Sequence, residues 1–422
     1  MKDDARGPAG GGEDAEGLWE YASARGMSRR HFLRLMVAGG AAAVVAACVG
    51  PSALGGTPQP IATEAAPGAA VRTPWFKDPA PFIRHGDLGL EGRLENQQGL
   101  ITPNDLFFVR NNSASIDVKA SDWRLSVEGD AVAEALELTY EEVRSLPSRT
   151  LVSYLECAGN HRALFDVVQG RKASGTQWMT GAVGNGEWVG VALRDVLTLA
   201  GVHASAVSVL LAGLDADSPE GGFRYVLPAE KAMDPDTLLA YALNGETLPK
   251  DHGFPLRALV PGWIGSASIK WLGRIVVSSQ PLWTRNNTTS YVLIGDAYPP
   301  EGEAQGRPVS EQVIKSALAL PWPAELAAGK RRIHGYAHSP HAPIARVQWS
   351  ADGGGWSDAE TLGRQVERSW AQFEFVWEAE RGERVLMTRA TDAAGNTQPG
   401  RVPFNEKGYL FNQPAPHPVR VI

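Results

Sequence analysis

Cysteine is almost missing from this chain: 422 residues hold two, Cys48 and Cys157. Two thiols cannot ligate an iron–sulfur cluster, and there is no C-x-x-C-H run for covalent haem. Positive charge is also in deficit, with 40 Lys and Arg against 47 Asp and Glu and a formal charge of −7. That balance argues against a nucleic-acid binder and offers no polybasic membrane patch. Any anion handled here must be attracted by a local cluster of cations. Long apolar runs are scarce too. The run from Leu35 to Ala47 is 13 residues, whereas a spanning helix needs roughly 20. No internal repeat is evident.

That short run has informative flanks. Ser28-Arg29-Arg30-His31-Phe32-Leu33 precedes it and Val45-Ala46-Ala47-Cys48 closes it. Paired arginines, a short apolar segment and small residues before a cleavage point describe an export signal of the twin-arginine type, over 1–48. Such a signal carries folded protein and suits an enzyme that receives a complex cofactor before export. Val45 to Cys48 also resembles a lipobox, which would make Cys48 a lipid anchor; cleavage nearby is the alternative. Residues 1–26 read as leader or as an upstream start before Met27. The expected location is the periplasm or the outer face of the cytoplasmic membrane.

Residues 49–72, rich in Pro, Gly, Ala and Thr, read as a flexible tether. From 73 to 318 strands and helices mix, which predicts an α+β unit. Expected strands are Trp123 to Gly129, Leu151 to Leu155 and Val207 to Ala212, with a helix from Val191 to Ala200. Thr139-Tyr140-Glu141-Glu142 is a capping box opening a helix that Pro147 ends. Asn244-Gly245 is a tight-turn signal. From 319 to 422 the texture is all-β: Ala345 to Ser350, Ala371 to Trp377 and Arg384 to Ala390 alternate, with Phe373, Phe375 and Trp377 on one face. Short alternating strands over this length suggest an immunoglobulin-like sandwich.

Three stretches can carry chemistry. In Leu151 to Phe165 a strand-like run gives way to Cys157-Ala158-Gly159-Asn160-His161-Arg162. A solitary half-buried cysteine is usually an inert small hydrophobe; a thiol near His can be a nucleophile, and a thiolate is a soft metal donor. Phe107-Phe108-Val109-Arg110-Asn111 places a guanidinium after an aromatic strand, either a surface ion pair or one arm of an oxyanion clamp. Asp251 to Arg257 and Val260 to Trp271 alternate His, Arg and Lys with glycines that allow close backbone approach, as a phosphate or polar cofactor requires; singly, each cation could be solvated.

Together these stretches carry a resemblance. Cys157-Ala158-Gly159-Asn160, Phe108-Val109-Arg110-Asn111, the His252-to-Arg257 segment and Ser268-Ile269-Lys270-Trp271-Leu272 resemble, in order and separation, the molybdenum domain of the sulfite oxidase family. Gly335-Tyr336-Ala337, Val347-Gln348-Trp349-Ser350 and Ala390-Thr391-Asp392 resemble that family's immunoglobulin-like dimerisation domain. The resemblance runs from about residue 80 to the C-terminus. It implies a molybdenum–molybdopterin cofactor, one per chain, with Cys157 as the protein thiolate on the metal. Phe108, Arg110, Asn111, Asp215, His252, Arg257, Ser268, Ile269 and Lys270 would bind the pterin and its phosphate. Arg110 and Arg162 would face a substrate pocket with Trp178 and Tyr291. Position 161 is His where a second arginine is expected beside Arg162, which bears on local charge or acceptor docking. The family's haem domain has no counterpart in the sequence.

The function implied is oxidation of sulfite to sulfate, with electrons passed to an external carrier such as a c-type cytochrome, by a homodimer. A reductase of sulfoxides or related small oxo compounds, oxidation of another small sulfur compound, and a lipid-anchored binding protein are the alternatives.

Overall fold

The computed structural model describes residues 71–422. The export signal, the lipobox at Cys48 and all but the last two residues of the tether lie outside these. Val71 and Arg72 are not tether: Val71–Thr73 pairs antiparallel with Ser115–Asp117.

Two five-stranded sheets, with smaller two- and three-stranded ones beside them, build the first unit. One runs Arg224–Pro228, Ser208–Gly213, Leu272–Ser278, Arg124–Glu128 and Leu136–Thr139, with a single parallel pair between the third and fourth. The other is antiparallel and centres on Ser148–Glu156 and Val183–Ala192, paired over nine residues, with Leu238–Leu243 on the far side of the second. Its Val/Leu-rich strands are buried on both faces where they cross the core, which holds Val191, Leu239 and Ala258. Gly184 in the long strand has no Cβ to block the ring of Phe107, which comes within 2.8 Å of where one would sit.

Helices are few and short. Tyr140–Ser145 has the expected capping box: Thr139 Oγ1 accepts from Glu142 N at 3.2 Å and Glu142 Oε2 accepts from Thr139 N at 2.9 Å. The predicted helix from Val191 starts late. Val191 and Ala192 finish a strand, because they pair with both Ser148 and Leu238–Leu239, and the helix is Leu193–Leu199. Tertiary pairing overrides the local pattern there. Asn244 and Gly245 both take positive φ, 54° and 77°, in the turn before Glu246–Thr247, as a type I′ hairpin demands.

The C-terminal unit is a sandwich of a four-stranded and a five-stranded sheet. Phe373, Phe375 and Trp377 of Ala371–Ala379 meet Val347, Leu386 and Ala390 of the opposing sheet, and Phe375 stacks on Trp349 at 4.4 Å. Each such aromatic contributes roughly 1.5–3 kcal/mol by leaving water. The boundary expected at 318/319 needs moving. Lys315–Leu318 is a strand of the sandwich, paired with Gly335–His338, so the second unit has begun by residue 315. Nor does the sandwich keep to itself. Its 402–411 segment returns to the first unit, where Phe404 and Phe411 pack edge-on against Phe165 and Leu410 N donates to Ala158 O at 3.1 Å.

Candidate active site

Cys157 stands one residue past the end of Ser148–Glu156, so the sheet edge delivers its thiol to a fixed place. Its N–H donates to Ala182 O at 2.9 Å, and it is the free cysteine of the described residues. It opens onto a solvent-connected cleft whose empty space, open solvent at the mouth included, is about 710 Å³. The same cavity is lined by Phe108, Arg110 and Asn111 from the chain after Phe107, by Asp215 and by His252 and Arg257. Ser268, Ile269, Lys270 and Tyr291 line it as well. Stretches of sequence as far apart as Phe108 and Tyr291 therefore converge on one cavity.

Arg257 and His252 are buried and Arg110 and Lys270 half-buried, and among the described residues none of the four forms an ion pair with a carboxylate. Arg257 spends its donors on main-chain oxygens, Nη1 on His252 O at 3.0 Å, Nη2 on Ser268 O at 2.8 Å and Nε on Ala258 O at 3.2 Å, and burial pulls it down to about 9. Lys270 Nζ donates to Asn111 Oδ1 and, at 2.9 Å, to Asp251 O; burial and then Arg257 lower it to about 7. His252 is pushed well below the usual range by burial, then by Lys77, Lys270 and Arg257. The two nearby carboxylates are already engaged. Asp215 accepts from Ser113, Ser218 and Phe223 N, and Asp251 from Ser115, Phe76 N and Lys77 N. Arg110 Nη1 is buried and, among the described residues, has no hydrogen-bond partner, which costs roughly 1–3 kcal/mol until an acceptor meets it. Such a site is built for an anion.

Tyr291 reaches the cavity at the end of the turn Asn286–Ser290; burial raises its phenol above the ordinary 10, with Arg110 pulling the other way. Its ring stacks on Tyr409 at 5.5 Å. The latter belongs to the returning C-terminal segment and carried no signal in the sequence. Asn112, Phe223, Ser266 and Trp271 also line the cavity. Ser266 and Trp271 sit within the glycine-punctuated stretch already singled out, whereas Phe223 had no local mark.

Two expected pocket residues are placed elsewhere. Trp178 is fully buried, tilted against His85 at 4.6 Å, and does not line the cavity. Arg162 does not line it either. Its Nε donates to Lys407 O and its Nη1 to Thr176 O, both at 2.7 Å, and its guanidinium lies over Tyr409 at 5.0 Å. It thus braces the ring that stacks on Tyr291. His161 cannot meet an acceptor: it is 1% exposed, and burial and then Lys315 lower it to about 3. It packs instead near a buried cluster behind the thiol, where Glu156 holds Lys315 at 2.6 Å, His338 at 3.0 Å and Asn160 at 2.9 Å.

Comparison with known proteins agrees with this geometry. The model of the oxidoreductase molybdopterin binding domain matches residues 112–285. Sulfite oxidase of Gallus gallus is 35% identical over 74% of this chain and 71% of its own length. Mitochondrial sulfite oxidase of Mus musculus is 32% identical over 82% of this chain and 67% of its own. The solved sulfane dehydrogenase SoxCD of Paracoccus pantotrophus superposes with a TM-score of 0.69 at 29% identity, covering 79% of this chain and 86% of that one. Against the animal sulfite oxidases it matches, the chain spans 60 to 71% of their length. Molybdopterin suits the cavity: a free thiol faces the space, and the cations of Arg257 and Lys270 answer a phosphorylated ligand.

Proposed function

We propose that the chain, which belongs to the sulfite oxidase family of molybdopterin oxidoreductases, oxidises sulfite to sulfate and passes the electrons to an external carrier such as a c-type cytochrome. The observation that carries the reading is the convergence of one free thiol with Arg110, Arg257 and Lys270 on one cavity, in a chain whose net charge is −7. Cys157 would be the protein's sulfur ligand to molybdenum. Phe108, Asn111, Asp215, His252, Arg257, Ser268, Ile269 and Lys270 would hold the pterin and its phosphate.

When bound, the molybdenum centre supplies the two-electron redox chemistry. Overall, sulfite and one water become sulfate, two protons and two electrons. The chain's own part is binding and orientation. Arg110, with a buried nitrogen lacking a partner, fixes an oxygen of the small dianion in a partly desolvated pocket, where attraction exceeds that in water. Tyr291 keeps its proton at neutral pH and so donates a hydrogen bond rather than acting as base. Arg162 keeps Tyr409, and through it Tyr291, in place.

Likeness to the sulfane dehydrogenase favours a second reading, oxidation of a sulfane-type sulfur. Loaded protein offered sulfite, a sulfane donor and a sulfoxide separates the cases. Ferricyanide reduction fastest with sulfite supports the first reading, and fastest with the sulfane donor the second. Viologen-linked sulfoxide reduction without sulfite turnover overturns both.

The proposal extends to assembly and place. The C-terminal sandwich would be an immunoglobulin-like dimerisation module, which sedimentation of the mature protein checks. Arg29-Arg30 and the apolar run to Ala47 support export of the folded protein to the periplasm or the outer face of the cytoplasmic membrane, with Cys48 lipidated or removed; mass spectrometry of the mature N-terminus decides which.

A further inference from the structure

The segment that enters the fold reaches the back of the cofactor cavity. Val71–Thr73 pairs with Ser115–Asp117. Beyond it, Phe76 N and Lys77 N donate to Asp251 Oδ2 at 2.9 and 2.8 Å, and Ser115 Oγ donates to Asp251 Oδ1 at 2.8 Å. The side chain of Lys77 then turns inward. Its ammonium lies 2.8 Å from Asn104 O, 2.8 Å from Phe107 O and 2.9 Å from His252 Nε2. An ammonium carries three protons and no acceptor, so these three contacts use all it has. Each falls on a stretch that leads to the cavity, since Phe107 precedes Phe108 and His252 itself lines it. Lys270, on the cavity side, donates to the carbonyl of Asp251.

We propose that Lys77 is a positioning residue for the anionic end of the cofactor, and that residues 71–77 form a strap whose closure and cofactor retention reinforce each other. The inference rests on the functional reading above. Because an ammonium only donates, His252 Nε2 must accept, which fixes the ring neutral with its proton on Nδ1. Lys77, Lys270 and Arg257 crowd one imidazole, and all three depress its proton affinity. The neighbouring Asp251 carboxylate is already engaged by a hydroxyl and main-chain N–H groups. A phosphate supplies the missing negative charge, so it favours the closed strap, and by linkage the closed strap favours the phosphate. Burial lowers the Lys77 ammonium to about 8, against a smaller opposing pull from Asp251 and then Asp105.

The test follows loss of pterin from loaded mature protein, read as fluorescence of the oxidised pterin. Lys77→Met should release it roughly tenfold faster or more, the ordinary size of such a coupling. Placed on a His252→Ala background, the same change should add less than twofold, because its effect passes through that ring. Independently of any variant, trypsin should cut after Arg72 and Lys77 several-fold faster in cofactor-free than in loaded protein. Release from Lys77→Met at the wild-type rate, or equal cutting of the two forms, overturns the inference and leaves the functional reading standing. Purified protein that carries neither pterin nor molybdenum takes both down.

Discussion

Replacing Lys315 by Met should strand a carboxylate in the interior and show what ties the sandwich to the thiol. Glu156 is fully buried and immediately precedes Cys157; its oxygens take the ammonium of Lys315, the imidazole of His338 and the amide of Asn160. Burial alone would push this carboxyl up, but Lys315 and then His338 outweigh it and hold it at about 2 against an ordinary 4.5. At 1.36 kcal/mol per pH unit, that interval is worth about 3 kcal/mol at neutral pH. Breaking a buried pair on one side costs about 3–5 kcal/mol. At about 2 °C per kcal/mol for a chain of this size, Tm should fall by roughly 6 °C or more.

The pH dependence has a definite sign. A carboxyl held below its unfolded value contributes stability in full above 4.5, and loses it as pH falls toward 2. The gap between wild type and Lys315→Met should therefore be full at pH 7 and clearly smaller by pH 3.5. Glu156→Leu added to Lys315→Met should recover most of the loss, since no charge is left to strand. Thermal melts of the three proteins at the two pH values decide the matter. A loss under 1 °C, a gap that does not change with pH, or a double variant no better than the single would refute the reasoning.

Arg110→Met removes the guanidinium with the orphaned nitrogen; KM for sulfite should rise roughly 10- to 100-fold, the size of a lost charge-assisted bond, while pterin content stays constant by fluorescence. Tyr291→Phe should lower kcat without moving any limb of the pH–rate profile between pH 6 and 9, because the buried phenol is raised above its ordinary 10; loss of a basic limb in that window would contradict its role as donor. Gly181→Ala would put a Cβ into the carbonyl of Gly92 and should cost about 1–3 kcal/mol of stability in urea titration, as overpacking does.

What could be read from the sequence, and what could not, divides by the range of the interaction. Cys157 after a β-prone run, the capping box at Thr139, the Asn244-Gly245 turn and the glycine-punctuated stretch from Asp251 to Trp271 announce themselves within a few residues. The structure gathers the last of these round one cavity with Cys157, Arg110 and Tyr291. Lys77 had no such mark, because its acceptors lie 27, 30 and 175 residues away. Trp178 and Arg162 show the other limit: their side-chain directions are set by His85, Thr176 and Lys407, none of which follows from spacing. The boundary near 318 failed for a related reason. Lys315–Leu318 is four residues of mixed polarity that suit either unit, and only its pairing with Gly335–His338 assigns it to the second.

The central claim, that Cys157 is the working ligand of a sulfite-oxidising centre, is tested most directly by sulfite-dependent reduction of cytochrome c, using mature protein that carries one molybdenum per chain. The account predicts turnover in the wild type that collapses in Cys157→Ser. Turnover that survives in Cys157→Ser, or a fully loaded wild type that reduces neither cytochrome c nor ferricyanide with sulfite, would contradict it.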